Sequence, residues 1–173
     1  MKLVVTGQDA NGKSVVASNQ TADLILNNAF PLFKNTALAA ADQLPTLPSD
    51  GTRPAHVGFF PPPGGYRFFL FTIEAADPDV PAHVPTPQEL TDAEALFPGL
   101  FSIYDDAGME RTDSIDMGYI VSGSVVLELD DGVEQVLHAG DAYVQNGTRH
   151  RWRNVGDQPV TMAVVILGTD RSS

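Results

Sequence analysis

At 173 residues, with 43% hydrophobic and 18% charged side chains, the chain is sized for one globular domain with a full core. A formal net charge of −12 would repel nucleic acid and an anionic membrane surface alike, so neither is expected as a partner. Cysteine is absent, which removes disulfides, thiolate metal sites and thiol nucleophiles. No long apolar run spans a bilayer, and the opening Met-Lys-Leu-Val-Val-Thr-Gly lacks a signal-peptide core, so a soluble, cytoplasmic protein is predicted.

Taken in chain order, residues 1–20 predict a hairpin. Leu3-Val4-Val5 and Ser14-Val15-Val16 flank the turn sequence Asp9-Ala10-Asn11-Gly12. A lone hairpin is not stable, so this one is expected to join the main sheet or that of a second subunit. Residues 21–44 read two ways. Ala37 to Leu44 suits a short helix started by Thr36 and stopped by Pro45, or an irregular strand followed by a turn. Residues 45–66 are rich in Pro and Gly and are expected to be an ordered surface loop. Tyr66 to Glu74 then reads as a central strand, apolar on both faces except for Arg67.

Residues 75–99 form an acidic insertion. Thr86-Pro87-Gln88-Glu89 has the order of a capping box with Pro at the first helical position. Leu90, Ala93, Leu96 and Phe97 follow at roughly helical spacing, and Pro98-Gly99 stops the run. A short helix, or two helical turns, lying over the barrel is predicted. Leu100 to Tyr104 reads as a further strand, with Asp105-Asp106-Ala107-Gly108 as its turn.

The stretch from Gly108 to Asn154 carries the chemical plan. Val125, Leu127 and Leu129 alternate with Ser124, Val126 and Glu128 at strand period. Asp130-Asp131-Gly132 turns the chain, which returns from Val133 to His138. Ala139-Gly140-Asp141 turns it again, Ala142 to Gln145 is a short strand, and Asn146-Gly147 makes the next turn. His150 to Asn154 leads into the apolar run Thr161 to Leu167. Turns at this spacing predict a sandwich or barrel. No GxSxG, HExxH or phosphate-cradling glycine loop is present, so a serine hydrolase is not supported.

At these residues the chain resembles the cupin superfamily of jelly-roll β-barrels. The second cupin motif ends in a glycine, a histidine after two residues and an asparagine after three more; Gly147, His150 and Asn154 match it. Gly140 also fits with a gap one residue short, and Gln145 stands where Pro is usual. In the first motif Gly123 fits and Asp116 occupies the place of the glutamate. Glu110 and Thr112 fall on the paired histidine positions. The opening residues and PPPGGYRFF extend the resemblance to small single-domain bacterial and fungal cupins, from which Glu110, Met117 and Ser124 depart. The resemblance implies an all-β jelly-roll (double-stranded β-helix) barrel spanning 1–173 as one domain. An N-terminal hairpin (1–20), a loop (45–66), a partly helical insertion (75–99) and the core motif region (100–168) would be its parts. It also implies a homodimer.

If the cupin register holds, Glu110, Asp116 and His150 converge inside the barrel with Thr112 beside them. One imidazole and two carboxylates can hold Fe(II), Mn(II), Ni(II) or Zn(II), although the usual cupin set of three His and one Glu is richer in nitrogen. Metal-free, the same three groups can act as acid and base. Arg67 and Trp152 are further candidates for binding a substrate. Surface exposure for Arg67 and packing for Trp152 are the plainer readings, as are solvent-facing ion pairs for Arg151 and Arg153. His138 is expected at the surface, and His56 and His83 could fold over the barrel mouth. Two functions remain open. One is a small-molecule enzyme carrying out oxygenation, decarboxylation or isomerisation of an organic acid, enol or aromatic metabolite. The other is a binding or structural cupin without catalysis.

Overall fold

A computed structural model describes residues 1–172. The chain begins with β1 (Lys2–Gln8) and β2 (Ser14–Thr21), the predicted hairpin, paired over their whole length. The pair forms a two-stranded sheet of its own and adds to neither of the other sheets. Single backbone bonds, Gln8 N–H to the Ser49 carbonyl and Ala22 N–H to the Met1 carbonyl, tie it to the chain that follows.

Nine further strands make two sheets. They are β3 (Leu24–Leu26), β4 (Phe33–Ala41), β5 (Tyr66–Ile73), β6 (Ser114–Ser122), β7 (Ser124–Glu128), β8 (Glu134–His138), β9 (Ala142–Gln145), β10 (Arg151–Asn154) and β11 (Val160–Gly168). The larger sheet has the order β3-β4-β5-β11-β6-β9, and the smaller one β10-β7-β8. Every pairing is antiparallel. Two antiparallel sheets whose strands change partner between them are a jelly roll, as the resemblance implied.

Alternation places the core. Along β11, Val160, Met162, Val164 and Ile166 are buried while Thr161, Ala163 and Val165 are half-buried. They meet Phe69 and Ile73 of β5, Ile120 of β6 and Val125 of β7 in one cluster. The run is therefore fully buried on its inner face and half-buried on its outer one.

Two local readings resolve or change. Residues 37–41 form strand, not helix: β4 pairs with β3 on one side and β5 on the other, with a register shift between Ala37 and Ala39. Alanine's helix propensity yields there to the ladder of backbone hydrogen bonds with β5, while β3 pairs only with Lys34–Thr36. Residues 101–103 form a single 3₁₀ turn rather than a strand. Gly99, at φ 85°, bends the chain, and Phe101 stacks on Phe30 with ring centroids 4.6 Å apart.

The insertion helix α1 (Pro87–Leu96) begins as its capping box predicts. The Glu89 amide donates to the Thr86 hydroxyl, and the Thr86 amide donates to the Glu89 carboxylate at 2.8 Å. Ala93 is its one fully buried residue. Among the described residues no helix is long and apolar enough to cross a membrane.

Candidate functional site

The barrel encloses a cavity of about 450 Å³. Phenylalanine is the commonest residue in its walls. Phe33, Phe69 and Phe71 come from β4 and β5, Phe59 and Phe60 from the preceding loop, and Phe30, Phe97 and Phe101 close the mouth. The rings brace one another: Phe33 stacks on Phe71 at 5.6 Å, and Phe59 meets Phe97 edge-on at 5.7 Å. Leu90 and Phe97, from α1 and its C-terminal cap, also line the space. The insertion thus supplies part of the cavity wall.

Into this apolar space project Glu110, Thr112, Asp116 and His150. Glu110 and His150 are direct cross-strand partners. The Glu110 amide donates to the His150 carbonyl at 2.8 Å, and the His150 amide returns the bond at 2.9 Å. Residues so paired carry their side chains on the same face. His150 Nε2 consequently lies 3.4 Å from Glu110 Oε1. His150 is buried, and its Nδ1 stands 3.0 Å from the Thr148 carbonyl, which can only accept. Nδ1 therefore carries the proton, and the Nε2 lone pair faces Glu110.

Gln145, standing where the cupin motif usually has Pro, supports that orientation. Its amide donates to the same Thr148 carbonyl and its oxygen accepts from the Thr148 hydroxyl. Gly147 is required beside it. At φ 57° it adopts the left-handed region, and a Cβ there would fall 2.8 Å from the Thr112 carbonyl oxygen.

Asp116 comes from the inner face of β6, and is buried. Ser114 Oγ lies 2.6 Å from Asp116 Oδ1 and 2.8 Å from Thr112 Oγ1. A hydroxyl has one proton to give, so Ser114 serves the carboxylate and Thr112 completes the chain by donating to Ser114.

The electrostatics follow from burial. Glu110 is raised to about 7, first by removal from water and then by the Asp116 charge, against a lowering hydrogen bond from Tyr104. Burial raises Asp116 to about 6, offset in part by Ser114. Burial also depresses His150, with the Thr148 carbonyl opposing the shift. Near neutrality the imidazole is neutral and Glu110 is close to half-protonated. The 3.4 Å contact is thus a carboxyl group facing an imidazole lone pair rather than a salt bridge.

Among the described residues no group of three or more His, Cys, Asp and Glu side chains is gathered closely enough to hold a metal ion. Glu110 and His150 face each other, while Asp116 is turned to Ser114. As the side chains stand, Glu110, Asp116 and His150 do not fit Fe, Mn, Ni or Zn as a ligand set.

The other candidates fall elsewhere. Arg67 does not line the cavity with Glu110; it is buried on the far side of β5. Its guanidinium donates to the carbonyls of Ala41, Gly58, Phe59, Phe60 and Tyr66, and to Asp42 at 2.6 Å. It is a knot tying the 58–60 loop to β4 and β5, not a surface cation, and no donor is left pointing at a substrate in the main cavity. Trp152 both packs and lines: its ring lies 4.6 Å from Tyr143 and 5.9 Å, edge-on, from His150. Asn154 closes its own turn, donating to the Ile73 and Gln158 carbonyls and accepting from the Gly156 amide. Arg151 and Arg153 bind Glu128 at 2.7 and 3.0 Å on the outside. His138 is exposed beside Ser124, and His83 pairs with Glu89 at 3.3 Å. His56 lines a separate space of about 250 Å³.

Two tyrosines were not singled out in the sequence. Tyr104 shares a backbone bridge with Glu110 and lines the cavity beside it. Tyr143 lies on β9 and lines the cavity opposite Gly118. The one available signal was the Asp105–Gly108 turn, which returns Tyr104 beside Glu110.

Residues 106–166, the stretch holding Glu110, Asp116 and His150, match the family model described as the cupin domain. Phomopsin biosynthesis cluster protein D of Diaporthe leptostromiformis is 50% identical over 46 residues, 27% of this chain and 24% of that one. The cupin-domain-containing oxidoreductase fogC of Aspergillus ruber is 35% identical over 65 residues, 36% of this chain and 32% of that one. The chain spans about a quarter to a third of the length of these curated relatives. Among solved structures, the cupin domain of Schizosaccharomyces pombe Cnp3 superposes with a TM-score of 0.48 at 11% identity, covering 98% of this chain and 88% of that one.

Proposed function

We propose that this cupin barrel is a small-molecule enzyme that moves a proton on a neutral aromatic substrate. The observation that carries it is the Glu110 carboxyl, 3.4 Å from the free lone pair of His150, inside a cavity walled by phenylalanine. A carboxyl group held near neutrality is suited to take a proton and return it. The reaction class is removal of a proton from carbon next to a carbonyl and its return to a second position, an enolisation or isomerisation. Glu110 is the base in its ionised form, and His150 Nε2 can accept a proton from Glu110 and hand it back.

The walls select the ligand. Stacked phenyl rings favour an aromatic body. Two buried carboxyl groups disfavour an anion. Lys34 at the wall is already paired with Glu74. Of the substrate classes considered, a neutral aromatic ketone or enol therefore fits better than an organic acid. The oxidoreductase names of fogC and its kind keep oxygen chemistry as a competing class. A metal centre would require Asp116 to leave Ser114 and turn toward His150.

The experiment is exchange of carbon-bound hydrogen in deuterium oxide, followed by NMR over a panel of neutral aryl ketones. Exchange above the buffer rate by the wild type is expected, rising with pH through about 7 as Glu110 ionises, and lost in Glu110→Gln. Binding without exchange across the panel would leave a binding protein. Near-stoichiometric transition metal in the purified protein, lost in His150→Ala, would replace the proposal with a metalloenzyme.

The barrel is further proposed to work as a homodimer. The β1–β2 hairpin forms no ladder with the barrel and exposes Val4, Val15 and Val16, so a second copy would cover an otherwise bare sheet. Light scattering at micromolar concentration should give twice the 18.5 kDa chain mass; the single-chain mass would overturn this.

A further inference from the structure

The cavity contains a phenol that the acid–base pair does not use. Tyr143 pairs with Gly118 across β6 and β9, and both face inward, on the same side as Asp116. A Cβ on residue 118 would lie 2.2 Å from Cε1 and Cζ of Tyr143 and 2.5 Å from its Oη. Only glycine at 118 lets the tyrosine ring lie down across the sheet with its hydroxyl toward the carboxyl groups. Trp152 holds the other side of that ring at 4.6 Å.

The hydroxyl itself is available. No described side chain or carbonyl bonds to it, yet no buried side-chain oxygen or nitrogen lacks a partner. The Tyr143 oxygen is therefore open to the cavity. Tyr104 differs in place: it shares a backbone bridge with Glu110 and is 44% exposed. The nearby polar groups are also committed: Asp116 accepts from Ser114, and the Thr112 hydroxyl completes that chain. Burial and the Asp116 and Glu110 charges push the Tyr143 phenol upward, which keeps it a neutral donor at any working pH.

We infer that Tyr143 is the hydrogen-bond donor for the carbonyl oxygen of the substrate, and that the ligand class is a neutral aryl ketone bound with that oxygen on Tyr143 and its ring against the phenylalanine wall. The inference rests on the proposed acid–base reading of the same cavity. It adds a hydrogen bond that strengthens as charge gathers on the oxygen during proton removal, the role of an oxyanion donor.

The test uses acetophenone and α-methylstyrene, which share shape but differ in having a carbonyl oxygen or a methylene group. Calorimetry gives the affinities, and Trp152, the one tryptophan of the chain, reports occupancy by fluorescence from the cavity wall. Tyr143→Phe retains the ring that fills the space over Gly118. The wild type is expected to bind acetophenone about tenfold more tightly than α-methylstyrene, the size of one hydrogen bond. Tyr143→Phe should erase that preference and leave α-methylstyrene affinity unchanged. A preference that survives in the variant, or none in the wild type although both bind, would overturn the role of Tyr143 and leave the cavity reading standing. Failure of the wild type to bind either compound would overturn both.

Discussion

Arg67 and Glu110 are both charged residues placed within the same barrel, and they are treated in opposite ways. Arg67, 4% exposed, is surrounded by five backbone carbonyls and the Asp42 carboxylate. Partial burial pushes Asp42 up, but the hydrogen bonds from Arg67 and the Val57 amide, with the Arg67 charge, hold it below the ordinary carboxylate range. Glu110 has a phenol, an imidazole lone pair and a second carboxyl group near it, and is pushed up to about 7. A buried charge that is fully partnered fixes structure; one left short of partners stores a readiness to exchange a proton. The contrast separates the scaffold of this barrel from its chemistry.

The largest effect is expected on the scaffold side. Arg67→Met removes the guanidinium and strands several carbonyls and Asp42, so it should destabilise the protein by about 3–5 kcal/mol in urea unfolding. A loss below about 1 kcal/mol would erase the contrast.

A smaller change of opposite sign is expected at Glu110. Its folded value of about 7 lies above the ordinary 4.5, so between those values the folded state holds more protons than the unfolded one. Its contribution is most favourable below the ordinary value and is lost as pH rises through about 7. Glu110→Gln, which cannot ionise, should therefore be more stable than the wild type by about 3 kcal/mol at about pH 8, and similar to it at about pH 4. Thermal melts at both pH values sharpen the comparison; a variant less stable at the higher pH would show that Glu110 is structural after all.

The two regions also differ in how far they could be read from sequence. The hairpins of residues 114–145 announce themselves through alternation and Gly-Asp turns, and the cap of α1 through Thr86 and Glu89. Glu110 and His150 were legible because their spacing to Gly123, Gly147 and Asn154 follows a motif. Residues 37–41 were not, because a run of alanine has no period of its own and is decided by the β5 ladder beside it, which is distant in sequence. Arg67 looked like a surface cation, since nothing nearby in sequence shows that the carbonyls of residues 58–60 fold back over it. Tyr143 was hidden for a related reason. Its place over Gly118 depends on the register of β6 against β9, strands separated by a sheet switch through β7 and β8.

The reciprocal backbone bridge between Glu110 and His150 bears on how such a barrel can diversify. Main-chain atoms alone set the spacing of the two positions, so the side chain at 110 can be exchanged without moving its neighbour. A single codon change to histidine there would place a second imidazole opposite the first on an unchanged frame. The bridge acts as a socket: the occupant of position 110 sets what chemistry faces His150, and the frame that holds the pair stays as it is.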